Sequence, residues 1–499
     1  MQSRRMFLKQ AGFTTASLLM AERIMADPYH PLTTLLPMAN HVRIRGVVRS
    51  RGRGVPSVAV TDGRSVVRTK ADGTFDIKSS SLQEFVSISL PSGYSISKSA
   101  TGTALFYQPV TPGPNGETTA LFDIAQLAVP DTRHAFFQLA DPQTLDDADM
   151  ARFRRETVPD VYTTARELEA QPMFGVACGD IMYDRLEYFP DYEKAVKEMG
   201  MAFFQVIGNH DVDIAARTDE ASATTFRKTF GPTYYSFNRG EIHYVVLDDV
   251  FWYGGYMGYL DQIQLDWLKA DLSVIEKGRT VVVFTHIPPY NEQHLRIGAK
   301  SPSNSLVVTN RELLYRILEP YKSYVLTGHM HESEYLRDGG VEIHVNGAVC
   351  GAWWTANICH DGTPNGYSVY EVNGSELEWR YKSVGKPIDH QMTIHPKGSN
   401  PDHPDEIFAN IWGADKRWEV TWYEDGVKKG SMERRLGNDP EAVKLFTGSA
   451  LPHRHKWIEP IQADHFFYAK PGTEAKEIMV EAKDGSGRIY TGRMKMGSR

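Results

Sequence analysis

Five times between residues 135 and 331 a short apolar run stops at an Asp, an Asn or a His. The runs are Ala135–Ala140, Met173–Cys178, Ala202–Ile207, Thr280–Phe284 and Tyr324–Leu326. They lead into Asp141-Pro142-Gln143, Gly179-Asp180-Ile181-Met182-Tyr183-Asp184, Gly208-Asn209-His210-Asp211, Thr285-His286 and Gly328-His329-Met330-His331. Polar-studded stretches with helical spacing lie between them, over Met150–Glu169, Asp191–Met199 and Gln262–Ile275. A further apolar run, Ile242–Leu247, ends in Asp248. Apolar runs alternating with helical stretches predict an α/β layered domain, and in such domains ligands collect at the carboxyl ends of the strands.

Taken singly, several of these motifs have ordinary readings. Asp141 suits a turn, Gly179-Asp180 suits a strand-ending turn, and a lone His286 suits a satisfied core histidine. Gly-Asn-His-Asp and Gly-His-Met-His are harder to explain that way, because alternating histidines put two imidazoles on one side of an extended segment. Together the strand ends deliver hard oxygen and imidazole donors to one crevice, a set that suits divalent first-row metals.

Composition narrows the partners. The chain has 499 residues, 41% hydrophobic and 23% charged, enough apolar content for a large core and a length that suggests about three domains. Its net charge of −7 gives no global basic field, so no nucleic-acid polymer is indicated and phosphate recognition has to be local. Cys178, Cys350 and Cys359 are the only cysteines, which excludes a disulfide framework and cysteine-rich metal sites. Cys350 and Cys359 are the pair that could join in an oxidising compartment.

The N-terminus reads Ser3-Arg4-Arg5-Met6-Phe7-Leu8-Lys9, followed by a weakly apolar run over Ala11–Met20. This twin-arginine export pattern predicts a signal peptide over 1–26, cleaved near Ala26, and a periplasmic or secreted mature protein. The run is too short for a stable membrane span, and no other stretch is long and apolar enough to cross a bilayer. From His41 to about Tyr107, alternating runs with Gly turns predict a small antiparallel β-sandwich, assigned to residues 40–125. Gly52-Arg53-Gly54-Val55-Pro56, Val60-Thr61-Asp62-Gly63 and Thr69-Lys70-Ala71-Asp72-Gly73-Thr74-Phe75 resemble transthyretin-like accessory modules of exported bacterial proteins. Beyond residue 375, runs such as Arg417–Tyr423 and Glu477–Glu481 with Gly turns predict a C-terminal β-rich domain over 375–499.

With the motifs in this order, residues 133–372 resemble the calcineurin-like metallophosphoesterases. Phe230-Gly231-Pro232-Thr233-Tyr234-Tyr235-Ser236-Phe237 and Gln264-Leu265-Asp266-Trp267-Leu268 are also familiar there. The flanking modules resemble those of one exported bacterial branch. The resemblance implies an α/β fold with a layered β-sandwich flanked by helices, and hydrolysis of a phosphomonoester or phosphodiester by a hydroxide shared between two divalent metal ions, Mn, Fe or Zn. The substrate class it implies is a small-molecule, glycan or lipid phosphoester. Carried over by motif, Asp141, Gln143, Asp180 and His331 would hold one metal, and Asp180, Asn209, His286 and His329 the other. His210 would protonate or stabilise the leaving oxygen.

Gln143 stands where the family pattern has His, and a neutral amide oxygen is a weaker ligand for zinc or iron than imidazole. Tyr183 also fits the Gly-Asp-x-x-Tyr of purple acid phosphatases, where the tyrosine ligates iron, but Gln143 and Asp211 depart from that pattern, which leaves Tyr183 as packing. Arg185 is a weaker candidate for phosphate contact. The stretch from Val349 through Trp353-Trp354 to Tyr367 either shapes substrate access or packs one domain on the next. Two other functions are compatible with the motifs: a non-catalytic envelope scaffold with a degenerate metal site, and a metal-dependent hydrolase of a non-phosphate bond.

Overall fold

The computed structural model describes residues 41–168, 171–448, 451 and 454–496, so the twin-arginine segment lies outside the described residues. Its centre is two sheets packed face to face. One has the order Phe203–Val206, Met173–Cys178, Arg133–Leu139, Gly366–Asn373, Glu376–Ser383. The other runs Tyr235–Arg239, Ile242–Val246, Thr280–Phe284, Lys322–Thr327, Val341–Val345, Glu334–Asp338. Motif-bearing strands pair in parallel, and hairpins close the edges.

The apolar runs are nearly continuous because both faces of each strand are covered. Phe136, Phe174, Val176, Val282 and Phe284 point between the sheets, where Phe136 stacks on Tyr370 at 4.5 Å and meets Phe284 edge-on at 5.7 Å. Truncating Phe136 to Ala would cost about 3–5 kcal/mol by the usual cavity penalty. Their neighbours Phe137, Leu139 and Ala177 point the other way, onto the helices Val158–Glu167 and Phe189–Glu198. Val281, Val283 and Val325 do the same against the helices Gln262–Leu272 and Arg311–Leu318. The result is a helix–sheet–sheet–helix stack. The stretch expected as a helix over Met150–Glu169 begins earlier, at the Asp146 cap, and is interrupted by a π-helical stretch over Phe153–Thr157.

The N-terminal sandwich differs from the all-antiparallel expectation. His41–Ser50 pairs antiparallel with Thr74–Ser80 but parallel with Glu117–Asp123. Parallel pairing needs a long crossover, and here the chain crosses to the second small sheet and back before returning. Phe106 of this domain lies 4.2 Å from Tyr235, which joins its core to that of the central stack.

Glu376–Ser383 pairs with Gly366–Asn373, so the first central sheet runs past residue 372. Two further four-stranded sheets follow, the first beginning at Thr393, around a core that includes Ile407, Trp422, Phe467 and Val480. Among the described residues no helix is long and apolar enough to cross a membrane.

Candidate metal centre

The registers Leu139↔Ala177, Cys178↔Val206 and Phe284↔Leu326 bring the carboxyl ends of the parallel strands level. The chain must turn sharply where each strand stops. Asp141, Gln143, Asp180, His329 and His331 accordingly take left-handed backbone conformations, with φ of 50°, 38°, 46°, 72° and 50°. Such a conformation costs a residue other than glycine roughly 1–3 kcal/mol and persists only where the surroundings impose it.

The surroundings impose it through buried carboxylates. Asp211 is fully buried and accepts three backbone N–H groups, from Ile181 (3.0 Å), Met182 (2.9 Å) and Gly208 (3.0 Å). Asp141 accepts the N–H of His329 at 2.9 Å, and Asp249 accepts those of His286 and Ile287 at 3.2 and 3.3 Å. Glycine is required at two close approaches. A Cβ on Gly208 would lie 2.0 Å from the Asp180 nitrogen, and one on Gly328 would lie 2.5 Å from Asp141 Oδ2.

All eight predicted site residues come together. Asp141, Gln143, Asp180, Asn209, His286 and His331 are buried, while His210 and His329 are partly open. His286 Nε2 lies 3.1 Å from Asn209 Oδ1, 3.2 Å from Asp180 Oδ1 and 3.1 Å from His329 Nδ1. On the other side of the crevice, Gln143 Nε2 donates to Asp180 Oδ2 at 2.9 Å, and His331 Nε2 lies 3.6 Å from Asp141 Oδ1.

Each ligand imidazole has its outer nitrogen tied to a backbone carbonyl. His286 Nδ1 donates to Cys178 O (2.9 Å), His329 Nε2 to Ser305 O (2.9 Å) and His331 Nδ1 to Gly351 O (2.8 Å). This fixes the ring orientation and leaves the inner nitrogen facing the cluster, with a free lone pair on His329 and His331 and, on His286, a proton that a cation would displace, the arrangement that metal-binding histidines use. The donor set therefore fits a cation. Ligand atoms of Asp180, His286 and His329 all lie within 4.8 Å of one another, close enough to hold one ion.

The electrostatics agree. Burial pushes Asp141 up to about 8 and lowers His331 to about 3; burial together with the field of His286 lowers His329 to about 3. Burial also opposes charge on the Asp180–His286 pair, but their mutual attraction outweighs it, raising His286 to about 10 and holding Asp180 below the usual carboxylate range. One positive charge thus already sits beside Asp180, where a cation would replace it.

His210 Nδ1 is 2.8 Å from Asp184 Oδ1, and Tyr183 stacks on the His210 ring at 4.4 Å. Tyr183 is thus a packing partner of His210. Arg185 pairs with Glu187 at the surface, 2.6 Å away. Trp353 stacks on His331 at 3.8 Å and also touches Trp457 of the C-terminal domain at 4.5 Å, so it packs the two domains together next to a predicted ligand. Trp354 Nε1 donates to Pro142 O at 2.9 Å. Cys350 and Cys359 are buried free thiols: Cys350 Sγ lies 3.6 Å from His331 Nδ1, and Cys359 Sγ accepts the Ala348 N–H at 3.3 Å.

Sequence reasoning missed Asp184 and Asp249 as orienting groups. Asp184 stood inside a recognised motif, and Asp249 follows the Asp248 that marked the strand end. Neither had a signal of its own, because each acts on a residue distant in sequence.

Three family models match consecutive parts of the chain. They are the N terminal of calcineurin-like phosphoesterase over residues 42–127, the calcineurin-like phosphoesterase itself over 136–333, and the C terminal of calcineurin-like phosphoesterase over 343–490. The serine/threonine-protein phosphatase CPPED1 of Rattus norvegicus is 31% identical over 231 residues, spanning 44% of this chain and 70% of that protein. Purple acid phosphatase 15 of Arabidopsis thaliana is 31% identical over 140 residues, 26% of this chain and 24% of its own length. Among solved structures, a dimetal phosphatase from Danio rerio aligns with 50% of this chain and 96% of its own at 14% identity, with a TM-score of 0.36. With matches that follow one another along nearly the whole described chain, the protein belongs to the calcineurin-like phosphoesterases and is a phosphoric ester hydrolase of that family.

Proposed function

We propose that the protein hydrolyses a phosphomonoester or phosphodiester of small-molecule, glycan or lipid character at a centre of two divalent metal ions, and that it works outside the cytoplasm. The position of Asp180 carries the first part. Its Oδ1 faces His286 Nε2 at 3.2 Å and its Oδ2 faces Gln143 Nε2 at 2.9 Å, so one carboxylate stands between two donor sets. Asp141, Gln143 and His331 with Asp180 would hold one ion, and Asn209, His286 and His329 with Asp180 the other. Mn, Fe or Zn ions held there would supply Lewis-acid polarisation of a phosphoryl oxygen and a more acidic water. The twin-arginine start of the sequence supports the extracytoplasmic part.

The chain's own residues supply orientation and proton transfer. His210 is fixed through Nδ1 by Asp184, which leaves Nε2 to give a proton to the departing oxygen. Burial opposes its protonation, but Asp180 and Asp184 outweigh burial and raise its pKa, which favours the acid form.

A panel of phosphate esters assayed with metal-loaded protein tests the function and this role together. His210→Ala should keep its metal content and lose about 10²–10⁴-fold in rate on an alkyl phosphate, the usual contribution of a positioned acid. The loss should be smaller on a nitrophenyl ester, whose leaving group needs little protonation. Equal losses would remove the acid role, and no turnover of any ester by the loaded wild type would sink the function.

Gln143 sets the character of the first site. Its amide nitrogen faces Asp180 and its Oε1 lies 3.9 Å from Cys350 Sγ, so half a turn of the amide aims the oxygen at the centre. An amide supplies no charge and suits an oxygen-preferring ion such as manganese. This site should therefore release its ion first, and Gln143→His should tighten it, for zinc above all. Calorimetric titration checks this: identical affinities in both forms would place Gln143 outside the coordination sphere.

A further inference from the structure

Six rings form an arc from one side of the centre to the other. His331 stacks on Trp353 (3.8 Å), and Trp353 meets Trp457 (4.5 Å, 68° between planes). Trp457 meets His455 (5.7 Å), His455 meets Tyr183 (5.5 Å), and Tyr183 stacks on His210 (4.4 Å). The arc starts on a ligand of one predicted metal and ends on the proton donor. Its middle, His455 and Trp457, belongs to the C-terminal domain.

That middle is held in place from both ends. Arg454 makes a two-pronged ion pair with the buried Asp149, at 2.9 and 2.7 Å, and Asp149 in turn accepts the N–H of Leu145, two residues beyond Gln143. Ile458 is only 3% exposed and packs with Ala352 and Phe446. Trp457, between these anchors, is 56% exposed. If the segment served only to pack the two domains together, the larger apolar side chain would be the buried one. Instead the smaller Ile458 is covered and the indole is left open, two ring contacts from the predicted ligand His331.

We propose that residues 454–457 form the substrate-recognition wall of this site, with the open indole face of Trp457 receiving a flat ring in the alcohol part of the phosphoester. The inference rests on the hydrolytic reading of the same centre. A ring is favoured over an acyl chain because the neighbours of Trp457 along the arc are an imidazole and a second indole, not aliphatic side chains, and stacked rings gain most from a flat partner. The C–H face of a sugar ring and the flat face of a nucleobase can both lie against an indole, so the assay separates them. Arg454 is a positioning residue that acts through Trp457.

The test compares kcat/KM for a hexose phosphate, a nucleoside monophosphate and acyclic glycerol phosphate in metal-loaded wild type, Trp457→Ala, Trp457→Phe and Arg454→Ala. The preference for one ring ester over glycerol phosphate should fall about tenfold in Trp457→Ala, the factor that one lost stacking contact carries. The fall should appear mainly in KM, recur in Arg454→Ala and be largely restored in Trp457→Phe, with metal content equal to wild type throughout. Whichever ring ester loses its advantage names the source of the ring. If Trp457→Ala does not fold, the free ring alcohol, but not glycerol, should quench wild-type tryptophan fluorescence, and that quenching should be lost in Trp457→Phe; quenching that persists in Trp457→Phe would place the ring elsewhere. An unchanged ratio with normal metal content would overturn this inference alone. Absence of turnover of every ester would overturn the hydrolytic reading and this inference with it.

Discussion

Asp180→Ala is expected to lower phosphoester turnover by about 10³-fold or more, the loss that several kcal/mol of transition-state charge stabilisation corresponds to. It should also leave fewer than two ions bound per chain. The carboxylate is 2% exposed, and its two oxygens face different donor sets, at 3.2 Å from His286 and 2.9 Å from Gln143. Its Oδ1 also accepts the His210 N–H at 2.8 Å, so its removal loosens the segment that carries the proton donor. Metal analysis beside kcat/KM reads both effects. Two retained ions with activity within tenfold of wild type would show that the two donor sets do not share this residue.

Asp211→Ala should destabilise the protein by about 3 kcal/mol or more, because each buried donor left without a partner costs about 1–3 kcal/mol. Three backbone N–H groups lose their acceptor at once, those of Ile181, Met182 and Gly208. Two of them lie directly after Asp180, whose φ of 46° depends on that loop being held. Asp211→Asn should recover only part of the loss, since its amide nitrogen would face N–H groups where an oxygen is needed. A lowered thermal midpoint together with weaker metal binding is the expected signature. A wild-type midpoint would mean that those amides find other partners. The effect should be largest in the central stack, because every bond involved lies there.

The strands of that stack were readable because burial on both faces leaves nearly continuous apolar runs between two breaks. Met173–Cys178 and Thr280–Phe284 are the strands that the runs define. The N-terminal sandwich was less readable. Alternation identifies strands, but it does not say which strand a given one will pair with, and His41–Ser50 takes a parallel partner some 70 residues away. The helix over Met150–Glu169 was legible as helical, but its Asp146 cap and π-helical interruption were not.

The sequence by itself determined the chemistry offered at each strand end, since Asp, Asn and His placed after an apolar run are local facts. It also determined the two glycines at 208 and 328, which those close approaches demand. Only the tertiary structure decided how the donors are aimed. Cys178, Ser305 and Gly351 lend their carbonyls to histidines far along the chain, and a carbonyl carries no side-chain signature to announce it. The same holds for Asp184 behind His210, for Asp249 behind His286, and for Arg454, which meets Asp149 across 305 positions. Such pairings depend on which surfaces meet when three domains pack, and that is set by the sum of many weak contacts rather than by any one motif.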